Sequence, residues 1–126
     1  MTKDNIQNHT TCRVLVVDDD IKILRFLNSS LRLAGFDVIT TTSGEQALQL
    51  VESEKPQCMV LDILMSPMDG FEVLRQLRAC SDLPVVAVSA HSSSADKAIS
   101  FGANAFVPKP FRPDDLIAKI KTLLNR

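Results

Sequence analysis

The chain has 126 residues, with 14 Lys or Arg against 15 Asp or Glu, a formal net charge of −1, and 45% hydrophobic to 23% charged residues. That describes one globular domain with enough apolar material for a core and no charge imbalance of the kind that keeps a chain disordered. The same balance argues against direct nucleic-acid binding, since there is no basic surplus and neither Trp nor Tyr to stack on bases.

Residues 1–11 are polar and read as a flexible leader ahead of a domain spanning residues 12–126. No apolar run reaches the roughly 18 residues a membrane span needs, so no membrane role is expected and the compartment expected is the cytoplasm. Cys12, Cys58 and Cys80 are an odd number without CxxC spacing, which points to reduced, partly buried thiols.

Short β-branched runs then alternate with longer stretches of helical period, the pattern of a parallel sheet covered on both faces by helices. The expected fold is an α/β, doubly wound, five-stranded parallel sheet in the order 2-1-3-4-5 with five helices, a flavodoxin-like three-layer sandwich. The first strand is RVLVV, Arg13–Val17, and the next segment spaces Ile21, Leu24, Leu27, Leu31 and Ala34 by three and four before Gly35 ends it. Asp37–Thr41 forms the second strand. Ser43 and Gln46 have the spacing of a capping box at the start of the second helix, whose inner face is Ala47, Leu50 and Val51; Pro56 blocks its continuation.

The third strand, CMVLD (Cys58–Asp62), is apolar until its last residue and should be central. Pro67 and the turn pair Asp69-Gly70 lead to a third helix carrying Phe71, Val73, Leu74 and Leu77. Val85–Ser89 is the fourth strand. A short Ser- and Ala-rich helix over residues 94–101, the weakest element, ends at Gly102, and residues 105–107 make the fifth strand. The last helix starts after Pro113, with Asp114 and Asp115 in its first turn, and buries Leu116, Ile117, Ile120, Leu123 and Leu124.

The chemistry collects at the carboxyl ends of the strands, where open parallel sheets bind ligands. Asp18, Asp19 and Asp20 follow the first strand. Asp20, nearest the helix, reads as its N-cap, but three adjacent carboxylates exceed what capping needs and repel one another unless a cation neutralises them. Asp62 taken alone reads as a solvated acid at a loop edge. With strands one and three as neighbours it joins Asp18 and Asp19 in the all-oxygen shell that Mg²⁺ prefers. Ser89 ends the fourth strand, where it serves either as a turn former or as a donor to a phosphoryl oxygen. Lys109 lies between Pro108 and Pro110, so its backbone is stiff and its ammonium can be aimed, although most loop lysines are simply solvated.

Taken together, Asp18-Asp19 after VLVV, Asp62 in MVLDILMSPMDG, Ser89-Ala90 after VVAV and Lys109-Pro110-Phe111 in FVPKPF resemble the receiver domain of two-component response regulators, related to the chemotaxis receiver. The resemblance covers residues 12–124. It implies that Asp62 is the phosphoacceptor, that Asp18, Asp19, Asp62 and the backbone carbonyl of Leu64 hold Mg²⁺, and that Ser89 and Lys109 bind the phosphoryl oxygens. Ser89 and Phe106 would be the switch residues, acting on the face of helix 4, strand 5 and helix 5. A cis Lys109-Pro110 peptide is implied as well, and by the same analogy Leu64 and His91 tune dephosphorylation.

Three departures from the family pattern stand out. Ser66 occupies the place of the usual proline, with Pro67 one residue later; residues 89–102 form a shorter stretch than usual; and Phe106 replaces the commoner Tyr. The implied partners are a histidine kinase or histidine phosphotransfer protein, a downstream output domain or protein, and a homodimer through helix 4, strand 5 and helix 5. This makes the chain a signalling domain that catalyses only its own phosphorylation and dephosphorylation, not an enzyme acting on other substrates.

Other readings are a degenerate receiver serving as a phosphorylation-independent docking module, a haloacid-dehalogenase-like phosphatase and a flavodoxin-like nucleotide binder. The phosphatase usually carries a second Asp where Leu64 stands, together with a cap insertion. The nucleotide binder would set its phosphate against the carboxylates of Asp18, Asp19 and Asp20.

Overall fold

The computed structural model describes residues 11–125. The leader expected over residues 1–11 therefore lies, but for Thr11, outside the described residues. The elements run β1 (Arg13–Val17), α1 (Ile21–Leu33), β2 (Asp37–Thr41), α2 (Gly44–Glu54), β3 (Cys58–Asp62), α3 (Gly70–Arg78), β4 (Val85–Ser89), a 3₁₀ turn (Ser92–Ser94), α4 (Ala95–Ser100), β5 (Ala105–Pro108) and α5 (Pro113–Leu123). All four strand pairs are parallel and the sheet order is β2-β1-β3-β4-β5, as expected.

Strand residues point alternately to opposite faces, and in the central strands both faces are apolar, so the sheet divides the core in two. Val14, Val16, Val60, Val86 and Val88 face α1 and α5 through Leu24, Leu27, Leu31, Leu116 and Ile120. Leu15, Val17, Met59, Leu61 and Ala87 face the other way, onto Ala47 of α2, Val73, Leu74 and Leu77 of α3, and Ala98 of α4. Two helices on one side and three on the other are what makes the fold doubly wound.

Local chemistry sets most boundaries. Asp20, Ser43 and Asp69 cap α1, α2 and α3 by accepting from Lys22 N, Gln46 N and Glu72 N. Gly35 takes φ +98° just past α1, a backbone region that costs glycine nothing. The expected apolar stripe of α1 is shorter than its spacing suggests: Ile21 is 55% exposed and Ala34 is exposed, because both sit at helix ends beyond the sheet they would cover.

Only half of the capping box forms on α2. The Gln46 side chain pairs with the Thr41 hydroxyl, and Ser43 N donates to Thr41 Oγ1 at 3.1 Å. Helix α5 starts at Pro113 rather than after it, since a first-turn residue needs no N–H donor. The residue 94–101 segment resolves into the 3₁₀ turn plus the shorter α4, and β5 extends one residue to Pro108.

Cys12 and Cys58 are buried, Cys80 is exposed, and all three are free thiols; burial pushes Cys58 up to about 12, which leaves it protonated and inert. Among the described residues, no helix is long and apolar enough to cross a membrane.

Candidate functional site

The carboxyl ends of β1, β3, β4 and β5 lie along one edge, where β1 is followed by two carboxylates, β3 and β4 end in Asp62 and Ser89, and β5 is followed by Lys109. Asp18, directly after β1, is 2% exposed. Its N–H donates to the Thr41 carbonyl at 3.2 Å, its Oδ1 accepts from Asp20 N at 2.8 Å, and its Oδ2 accepts from Lys109 Nζ at 3.0 Å. Asp62, the last residue of β3, is 4% exposed; its Oδ1 lies 3.5 Å from Lys109 Nζ and accepts from Leu64 N at 3.4 Å. Asp19 approaches from the solvent side, and one carboxylate oxygen from each of Asp18, Asp19 and Asp62 lies within 4.8 Å of the others.

Lys109 is aimed into this group by its backbone. Its N–H donates to the Ser89 carbonyl at 2.8 Å, which continues the β4–β5 pairing past Pro108, and the Lys109-Pro110 peptide is cis as expected. The Ser66-Pro67 peptide is also cis, which was not anticipated. Ser89 is fully buried, and its Oγ accepts from His91 N at 3.0 Å. Leu64 is 44% exposed beside Asp62, and His91 is exposed on the turn after β4. Phe106 does not join the carboxylates; half-buried on β5 and paired in register with Ala87, it packs against the core under α2, α3 and α4.

The electrostatics follow from this crowding. Burial first, and then the neighbouring Asp18 carboxylate, push Asp62 up to about 6, while Lys109 pulls it back. Burial acts against the Lys109 ammonium, but the hydrogen bond to Asp18 and the charges of Asp62 and Asp18 outweigh it and raise its pKa. Two buried carboxylates beside an exposed third leave a surplus of negative charge that one lysine does not cancel. All the donors are hard oxygens, so the residues fit a Mg²⁺ ion.

Two residues that the sequence reading passed over support the site. Thr41, 4% exposed, anchors Asp18 through its carbonyl and the start of α2 through its hydroxyl. Gly70, read only as half of a turn pair, packs against the strand that ends in Asp62. A Cβ there would stand 2.7 Å from the Asp62 carbonyl oxygen and 2.7 Å from Ile63 Cα. The Asp-Gly pair was the available signal, but what it touches is decided by the return of α3 onto β3.

The family model of the response regulator receiver domain matches residues 14–121. The transcriptional regulatory protein PrrA of Mycobacterium bovis is 43% identical over 120 residues, covering 93% of this chain and 52% of that protein. The probable transcriptional regulator ycf27 of Cyanophora paradoxa is 40% identical over 116 residues, covering 90% of this chain and 48% of that protein. The chain thus spans about half the length of the curated relatives it matches.

Among solved structures, a response regulator described as putative from Chloroflexus aurantiacus superposes with a TM-score of 0.86 at 30% identity, covering 93% of this chain and all of that one. The chemotaxis response regulator CheY4 of Vibrio cholerae gives 0.84 at 28% identity, covering 90% of this chain and 99% of that one. Strand order, the residues at the strand ends and these matches agree: the chain belongs to the response regulator receiver domain family.

Proposed function

We propose that this receiver is a working phosphoryl acceptor in which Asp62 takes a phosphoryl group from a histidine kinase or histidine phosphotransfer protein. The observation that carries the reading is one constellation: carboxylate oxygens of Asp18, Asp19 and Asp62 within 4.8 Å of one another, and the Lys109 ammonium 3.0 Å from Asp18 and 3.5 Å from Asp62. Asp18, Asp19, Asp62 and the backbone carbonyl of Leu64 would hold Mg²⁺, whose charge offsets that of phosphoryl oxygens approaching an acidic site.

An Asp62 carboxylate oxygen attacks phosphorus in line while the bond from phosphorus to the donor's imidazole nitrogen breaks, its electron pair leaving with that nitrogen. The oxygen must enter ionised. With Asp62 at about 6 it is so at neutral pH. Lys109 offsets charge on the transferred oxygens, and the Ser89 hydroxyl donates to one of them.

As Ser89 turns toward the acyl phosphate, its bond from His91 N is disturbed and the turn leading to α4 shifts, while Phe106 adjusts on β5. The face of α4, β5 and α5 thereby changes population between two forms. Leu64 and His91 flank the entry path and set how readily water hydrolyses the acyl phosphate. An output domain or protein, or a homodimer through α4, β5 and α5, would read the changed face. The named relatives are transcriptional regulators, which makes transcription the output to look for in a longer protein of the cytoplasm, through a part other than this domain.

The test is intact mass after incubation with acetyl phosphate and Mg²⁺, for wild type, Asp62→Ala and an EDTA control. One phosphoryl adduct that needs both Asp62 and metal is the expected result. A folded wild type that takes up nothing would overturn the proposal in favour of a phosphorylation-independent docking module.

A further inference from the structure

Helix α4 has six residues, and Ala98 is its one buried side chain. A single alanine buries too little apolar surface to hold so short a helix on a sheet. It is instead tied twice to α3, once through Lys97 in its middle and once through the segment that follows its last residue. The Lys97 ammonium lies 4.2 Å over the Phe71 ring of α3 and 5.7 Å from the Phe101 centroid, and the two rings stand 5.4 Å apart at 56°. At the other end of α3, Arg78 Nε and Nη2 donate to the Gly102 carbonyl at 3.0 and 2.8 Å, and Nη2 reaches Asn104 Oδ1 at 3.1 Å. Asn104 Oδ1 also accepts from Val85 N at 2.8 Å, so this contact is continuous with the first residue of β4.

Gly102 makes the second tie possible. Its φ is +111°, and a Cβ there would meet Arg78 Cγ at 2.7 Å and Nε at 2.8 Å, so the arginine stem lies flat on bare backbone. The N-terminal approach to α4 has nothing comparable: the Ser92–Ser94 turn buries no residue and has no side-chain cap. It is joined to the site through the bond from His91 N to Ser89 Oγ.

We propose that Lys97 and Arg78 are positioning residues that latch the middle of α4 and the segment just past its C-terminus to α3, so that movement of Ser89 acts on a helix whose N-terminal approach is untied and whose far side is held. The strength of the latch then sets how populated the resting arrangement is, and a weaker latch lets a phosphoryl group be taken up faster. This switching half rests on the function proposed above; the latch itself does not.

Amide exchange of the unphosphorylated full chain tests the latch at Phe101, Gly102 and Ala103, whose N–H groups donate to Lys97, Ile99 and Ala98 carbonyls. Lys97→Gln removes the cation and should speed exchange there by about two- to fivefold, while Lys97→Arg keeps a cation over the rings and should restore it. Arg78→Gln should speed exchange by about tenfold or more. Phosphoryl uptake from acetyl phosphate should rise in the same order. Unchanged exchange in both Lys97→Gln and Arg78→Gln would overturn the latch, and faster exchange with wild-type uptake would overturn its control of switching. No adduct on wild type would strike the proposed function, and the switching half with it, while the exchange rates would still decide the latch.

Discussion

Lys109 Nζ donates to Asp18 Oδ2 at 3.0 Å, joining residues 91 positions apart in the chain. The Asp18 side chain is 3% exposed and that of Lys109 20%, so the pair is partly desolvated, and Asp62 shares the same ammonium at 3.5 Å. Removing the shared ammonium leaves two buried carboxylates without compensation.

Lys109→Gln should therefore lower phosphoryl uptake by on the order of a hundredfold, because charge on the transferred oxygens loses its fixed counter-charge. The metal-free protein should also be less stable, with Asp18 and Asp62 repelling each other directly. Adduct formation over time and a denaturant midpoint in EDTA check the two halves separately.

The raised Asp62 makes stability depend on pH in a stated direction. The folded protein binds this proton up to about 6, whereas the unfolded chain releases it near 4, so between these values the folded state holds more protons and stability falls as pH rises. Asp62→Asn removes that loss. In EDTA at pH 7.5 the variant should be more stable than wild type by about 1 to 2 kcal/mol, allowing for solvent screening, with the gap closing by about pH 4. Denaturant midpoints at three pH values measure this, and a gap that persists at pH 4 would contradict it.

Mg²⁺ should act as a ligand of the folded state only. The thermal midpoint of wild type should climb with concentration, by about 1.4 kcal/mol of added stability at a tenfold excess over its dissociation constant. Asp18→Asn and Asp19→Asn should each flatten that rise, and Ca²⁺ and Mg²⁺ titrations of the same variants will show whether the loss is one of charge or of geometry.

Gly70→Ala places a methyl 2.7 Å from the Asp62 carbonyl oxygen and from Ile63 Cα, both backbone atoms that cannot step aside alone. The expected cost is about 1 to 3 kcal/mol, with phosphoryl uptake reduced as Asp62 is displaced. Equal stability of Gly70→Ala and wild type in urea would show that α3 can lift off β3 without penalty.

Leu64 is 44% exposed two residues beyond Asp62 and offers no polar atom in its side chain to order a water. Leu64→Asn should shorten the lifetime of the acyl phosphate severalfold, read from loss of the adduct after the phosphate donor is removed. An unchanged lifetime would count against any role for this side chain in hydrolysis.

Local chemistry made much of this protein legible in its sequence. The five strands, the caps at Asp20 and Ser43 and the turn glycines depend on spacings of two to four residues, and such interactions are written in adjacent letters; Asp69, read only as part of a turn, proved to be a third cap. The acids, the hydroxyl and the lysine could be singled out because each ends a strand, and a parallel sheet brings strand ends to one edge.

Tertiary structure alone decided the rest. Which oxygen of Asp18 Lys109 meets, how far burial and Asp18 raise Asp62, that Ile21 ends in solvent, and that Arg78 clasps the carbonyl of Gly102 all join parts of the chain by way of the finished sheet. Distances and desolvation between such residues belong to packing, because they exist only once both faces of the sheet are covered.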